Sequence, residues 1–150
     1  MSFASGLSGF TTLFLICYVV NDSNTKSLYL RLNNDSGANY SFQRASVDNI
    51  TSDASRVTNG NQIVLNTYAV LGSGVTSMYV IEINKPSAGV VARATVRGAY
   101  DATGSANTTI YEVIAAEWSN TSELINRIDL IASSNNVTTG TRILLYGSKE

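Results

Sequence analysis

The sequence contains no histidine. Its absence removes the side chain that most often serves as a general base near neutral pH and most often ligates transition metals. Cys17 is the single cysteine, so no intrachain disulfide can form, and its place inside an apolar run marks it as a small buried hydrophobe. Charge is scarce as well: only 14% of the 150 residues are charged, ten basic against eleven acidic, giving a net charge of −1. With no cluster of Lys or Arg to neutralise a row of phosphates, nucleic acid is not an expected partner. So small a net charge does little to hold copies of the chain apart, which suits a subunit of an assembly. The run from Phe10 to Val20 falls short of the roughly 20 apolar residues that a membrane-spanning helix needs. No Lys or Arg precedes it, and β-branched and aromatic residues dominate it, so it reads as a strand rather than as a signal or membrane segment.

Short apolar stretches, continuous or with period two, are separated by clusters of Asn, Asp, Gly, Ser and Thr. This is the pattern of strands and turns, and it predicts one domain over 1–150 with about eight strands. Thr11 to Val20 is apolar on both faces, which predicts a central strand. Ser27 to Leu32 sets Leu28, Leu30 and Leu32 against Tyr29 and Arg31, which predicts one wet face. Asn33-Asn34-Asp35-Ser36-Gly37 supplies left-handed or Asx-turn geometry before Tyr40 and Phe42 return to the core. Arg44 to Gly60 lacks sustained periodicity and reads as a long contact loop. Strands are expected again over Gln62 to Leu71, Met78 to Asn84, Val90 to Tyr100, Thr108 to Trp118, Ile128 to Ala132 and Thr141 to Tyr146. In the third of these, the small inward set Ala92, Ala94, Val96 and Gly98 predicts a bulky neighbour. Asn120-Thr121-Ser122-Glu123 resembles a capping box, with Leu124, Ile125, Ile128 and Ile131 on one helical face, so a short turn of helix competes there. Many short strands without alternating long helices indicate an all-β, antiparallel, jelly-roll-like β-sandwich, and the Cys…Trp…Cys signature of an immunoglobulin domain is missing.

Two segments carry a resemblance. Ile125-Asn126-Arg127-Ile128-Asp129-Leu130-Ile131, followed by Gly140-Thr141-Arg142-Ile143-Leu144-Leu145-Tyr146-Gly147, resembles the close of a β-rich domain in tailed-bacteriophage virion structural proteins. The run Leu28 to Ser41, with its Asn-Asp-x-Gly-x-Asn-Tyr turn, looks like the other hallmark of that group. The resemblance implies a tail, tail-fibre or capsid-decoration protein on the particle exterior. Its implied partners are other virion proteins and further copies of itself, a trimer being one arrangement, and it carries over no active site. The relatives often have additional N-terminal sequence, whereas the first strand here is expected within ten residues of Met1, so attachment would use the domain surface. As fold elements, Gly140 and Gly147 permit unusual backbone geometry and Ile143 and Leu145 fill the core.

Candidate chemistry is thin. Asp101, Glu112 and Glu117 are the carboxylates available for a hydrolytic pair, but Glu112 and Glu117 have opposite parity on one strand and should point to opposite faces. Asp35 with Asn33, Asn34 or Asn39 could offer oxygens to calcium, although the spacing is not that of an EF-hand and a self-capped turn explains the same residues. Tyr79, Tyr100, Tyr111 and Trp118 could stack sugars, although a lone tryptophan at a strand end more often lids the core. Residues Asn34, Asp35, Asn39, Tyr79, Tyr100 and Trp118 are therefore the candidate contacts to a partner or a host-surface glycan. No cofactor or metal is indicated. A virion structural subunit is the leading expectation, and a carbohydrate-binding module is the alternative.

Overall fold

The computed structural model describes residues 1–7, 9–21, 27–48, 51–66, 75–85, 89–101, 109–133 and 139–149. Among them the regular elements are all strands. In chain order these are β1 (Ser2–Phe3), β2 (Thr12–Val20), β3 (Leu28–Leu32), β4 (Tyr40–Val47), β5 (Ser52–Gly60), β6 (Ile63–Val64), β7 (Thr76–Asn84), β8 (Ala92–Asp101), β9 (Thr109–Trp118), β10 (Ile128–Ala132) and β11 (Arg142–Ser148). They form two antiparallel sheets, a small one ordered β1-β10-β3-β6 and a large one ordered β11-β2-β7-β8-β9-β4-β5. The first, last, third and sixth strands of a jelly roll share one sheet, and its second, seventh, fourth and fifth share the other. That order appears here as β1-β10-β3-β6 and β2-β9-β4-β5, with the β7 and β8 pair inserted between β2 and β9 and with β11 added outside β2.

The core lies between the sheets because one parity of each strand is apolar. β7 and β9 alternate buried and exposed residues along their whole length. β3 buries Leu28, Leu30 and Leu32 and leaves Tyr29 and Arg31 half exposed, as its alternation predicts. The small inward residues of β8 find their bulky neighbour in Tyr79. A Cβ at Gly98 would stand 2.6 Å from the Tyr79 ring, so only glycine lets that ring lie flat on β8. Gly147 serves similarly, with the Phe10 ring where its Cβ would be, while Gly140 supplies a left-handed turn at φ 100° before β11. Gly147 is therefore required for close approach, not for special backbone angles.

Four expectations need correction. Arg44 to Gly60 is not a loop: β4 runs through Val47, and Ser52 to Gly60 forms the edge strand β5, paired with β4 from Val47↔Ser52 to Tyr40↔Gly60 with a bulge near Tyr40. β5 has little periodicity because an edge strand beyond the small sheet has almost nothing to bury. The strand expected over Gln62 to Leu71 is two residues long, Ile63–Val64, and its 67–71 part lies outside the described residues. β2 is interior, between β11 and β7, but its second face is open, with Ile16 and Tyr18 exposed. The capping box forms no helix. The Asn120 Oδ1 instead accepts bonds from the amide (3.2 Å) and hydroxyl (2.6 Å) of Ser122, and the Glu123 carboxylate accepts from Asn33 instead of returning to a cap.

Candidate functional site

Four of the six candidate contact residues converge on one corner. Asn33 and Asn34 both adopt left-handed backbone, with φ of 54° and 55°, and turn the chain so that Asp35 faces β9. The Asp35 carboxylate accepts three hydrogen bonds, from the Gly37 amide (2.8 Å), the Asn39 side chain (2.8 Å) and the Trp118 indole (2.7 Å). Partial burial acts to raise its pKa, but the bonds from Trp118, Asn39 and Gly37, with Asn120 adding to them, prevail and hold it below the ordinary value. The Tyr40 hydroxyl sits beneath the turn, accepting the Leu32 amide at 2.9 Å and lying 3.2 Å from the Leu32 and Asp35 carbonyl oxygens. Burial pushes that phenol up to about 12, even though the Leu32 backbone bond favours its ionised form.

Asn33 completes the corner. Its side-chain oxygen accepts the amides of Asn126 (2.9 Å) and Arg127 (3.1 Å), and its nitrogen donates to Glu123 Oε2 and to the Leu124 carbonyl. The two sequence segments that carry the resemblance are thus stitched together, the turn before β4 to the stretch leading into β10. The corner is a clasp between the ends of four strands, β3, β4, β9 and β10. A cation at Asp35 would have to displace the indole and amide donors that now occupy its oxygens, whereas Asn34 is exposed and free to meet a partner.

Tyr79 and Tyr100 lie elsewhere and inside. Their rings stack with centroids 6.4 Å apart, they are 0% and 2% exposed, and Trp118 is 2% exposed. None of the three presents a ring face to solvent, so the sugar platform expected from them is corrected: inward parity on β7, β8 and β9 puts them in the core. The Tyr100 hydroxyl donates to Glu112 Oε2 at 2.9 Å, and Glu112 is itself buried. Burial drives the Tyr79 phenol strongly upward, with Ser77 nearby favouring ionisation but not aligned for a well-formed bond. Glu117 points outward instead and pairs with Arg93 at 3.3 Å, while Asp101 stands at the far end of β8 opposite Thr109. The three carboxylates do not converge. Among the described residues, no group of three or more His, Cys, Asp or Glu side chains is placed to hold a metal.

Of the residues on the surface that stands out, only Tyr111 was among those singled out in the sequence. Among the described residues, twelve large apolar side chains are exposed, and all but Met1, Val90 and Leu124 share the outer face of the large sheet. They are Ile16 and Tyr18 on β2, Val47 on β4, Met78 and Val80 on β7, Tyr111 and Val113 on β9, and Leu144 and Tyr146 on β11. Monomeric proteins rarely expose contiguous apolar patches beyond a few hundred Å². A groove of about 360 Å³ crosses the same face over Thr95 and Ala115, rimmed by Gln43, Arg56, Arg93 and Glu117. The signal in the sequence was the doubly apolar β2, which requires a cover on both sides. The sandwich supplies only one.

No protein-family model matches the chain, and no match is found among curated proteins or among solved structures.

Proposed function

We propose that this chain is a non-enzymatic structural subunit that docks into a larger particle through the outer face of its seven-stranded sheet. The setting suggested by its turn and terminal motifs is the exterior of a tailed-phage virion, on tail, tail fibre or capsid. The observation that carries the reading is the gathering of nine exposed large apolar side chains on that one face, a surface suited to burial against protein. The dispersal of Asp101, Glu112 and Glu117, one of them buried and one in an ion pair, supports a role without catalysis. Mass spectrometry of purified particles should detect this chain in many copies per particle. Intact particles that lack it would remove the virion assignment.

A second reading, carbohydrate binding, draws on Tyr18, Tyr111 and Tyr146, whose rings are each about half exposed on the same flat face. Sugar sites set polar groups beside stacking rings to orient the ligand, and here Met78 and Ala99 lie between Tyr18 and Tyr111. The apolar filling favours protein over glycan. Glycan-array binding lost in both Tyr18→Ala and Tyr111→Ala would reverse that preference.

A further inference from the structure

The large sheet ends in two edges that differ in kind. β5 is blunted: its ladder to β4 bulges at Thr58 and Asn59, Asn59 has a left-handed φ of 56°, and Asp53 and Arg56 are exposed charges. Laid antiparallel on another copy over its whole length, Ser52–Gly60, it would set Arg56 directly against Arg56. Bulges and charges are devices by which sheets keep an edge from pairing. β11 lacks them. It pairs with β2 residue for residue from Arg142 to Ser148, contains no proline, and has one charge, Arg142, at its start. Leu144 and Tyr146 are half exposed on its outer side, and Ile143 and Leu145 are only partly buried on its inner side. Among the described residues no strand lies beyond it.

The direction of its backbone groups follows from the far side of β2. The Lys85 amide donates to the Thr11 carbonyl (2.7 Å) and the Asn21 amide to the Val75 carbonyl (3.0 Å), so the odd-numbered residues of β2 turn their N–H and C=O toward β7. Successive residues of a strand turn these groups to alternate sides, so Thr12, Phe14, Ile16 and Tyr18 turn theirs toward β11. Their register partners are Ser148, Tyr146, Leu144 and Arg142. Ile143, Leu145 and Gly147 therefore direct their N–H and C=O groups away from the sheet.

We propose that β11 pairs with β11 of a second copy, antiparallel about a two-fold axis normal to the sheet at Leu145, so that one sheet runs through both copies. This register pairs all seven residues of the strand. Leu145 exchanges two backbone bonds with Leu145 of the other copy, and Ile143 exchanges two with Gly147 on each side of the axis, so every outward group named above is satisfied. On the outer face Leu144 stands opposite Tyr146, aliphatic against aromatic, and Arg142 stands opposite Ser148, so no like charges meet. On the inner face Leu145 meets Leu145, and Ile143 lies opposite Gly147, where the Phe10 ring fills the place of a side chain. The strand thus complements its own reverse, a test that β5 fails at Arg56, and this favours a second copy over a foreign strand. Ile16, Tyr18, Met78 and Val80 stay open in the pair, so the pairing goes beyond the docking reading and does not compete with it.

Sedimentation velocity and hydrogen exchange on the full chain, each over a range of concentrations, test the pairing. The expected result is a reversible species of twice the 16.0 kDa monomer mass, in which the amides of Ile143, Leu145 and Gly147 gain roughly tenfold protection or more and those of β5 gain none. Leu145→Pro removes a donor that bonds nothing within the sheet, and it should weaken association roughly tenfold or more with circular dichroism unchanged. Leu144→Lys, at an exposed position, should do the same, and adding Tyr146→Glu to that chain should restore pairing by setting opposite charges across the axis twice. A chain that stays at 16.0 kDa throughout, or a dimer whose three amides stay unprotected, would overturn the proposal. Protection of those amides only within particles would overturn it too, and would give the edge to a strand of another protein. A monomer found in particles would sink the second copy and leave the virion reading intact. An edge-paired dimer absent from particles would do the opposite.

Discussion

At the scale of single residues, the interaction that most constrains the corner is the Asp35 carboxylate with its three donors. Trp118 is almost wholly buried, so its indole N–H has little access to water as a substitute acceptor. Replacing Asp35 with Ala should cost about 1–3 kcal/mol, read as a lower urea midpoint, because a buried donor is left unpaired. The pH dependence has a definite sign. The folded pKa of Asp35 lies below the ordinary value of 3.8, so its stabilising contribution is complete above the unfolded pKa and is lost as pH falls through the folded one. Asp35→Asn should therefore flatten the part of the stability curve below about pH 4 relative to the native chain. An acid limb that keeps its slope in the variant would show that other carboxylates control it.

At the scale of elements, whatever buries apolar residues on one face was legible and whatever does not was hidden. β3, β7, β8 and β9 alternate because each has one face in the core, and the small inward row of β8 indicated a bulky neighbour, though not that Tyr79, expected at the surface, would be the ring lying on Gly98. β5, with Ser52, Asp53, Ala54, Arg56 and Asn59 exposed, carries no apolar stripe to read, and beyond its ladder to β4 it adds only Val57 to the core. The Asn33 to Asn39 turn was readable from its residue types, but its bonds to Trp118, Asn126 and Arg127 join residues 83 to 94 positions apart, which no local pattern encodes. The exposed apolar face was missed because continuous apolarity in β2 looks the same whether or not the same chain covers its second side. The one-sided anchoring of β5 has a dynamic consequence. Native-state hydrogen exchange should find β8 and β9 amides protected up to global unfolding and β5 amides exchanging through local opening at much lower free energy. Equal protection of β5 and β8 would show that this edge is covered in solution.

Across the whole molecule, closure depends on pairings between distant parts of the chain. The amino group of Met1 donates to the Leu130 carbonyl at 2.8 Å, β1 pairs with β10, and β11 pairs with β2 along seven residues. A single continuous core connects the two sheets, so neither is expected to open without the other. Cys17 reports on this. It is 0% exposed on β2, its register partner on β11 is Ile143, and burial raises its thiol to about 12. At about pH 8 it should therefore be inert to a disulfide reagent in the native chain, since the reactive species is the thiolate. Labelling should proceed only through unfolding and should track the global transition in urea. Removing residues 142–149 strips β11 from β2 and exposes that edge, and Cys17 should then react without denaturant. Rapid labelling of the intact chain would mean that β11 leaves β2 on its own, and the sandwich would then be two cooperative units rather than one.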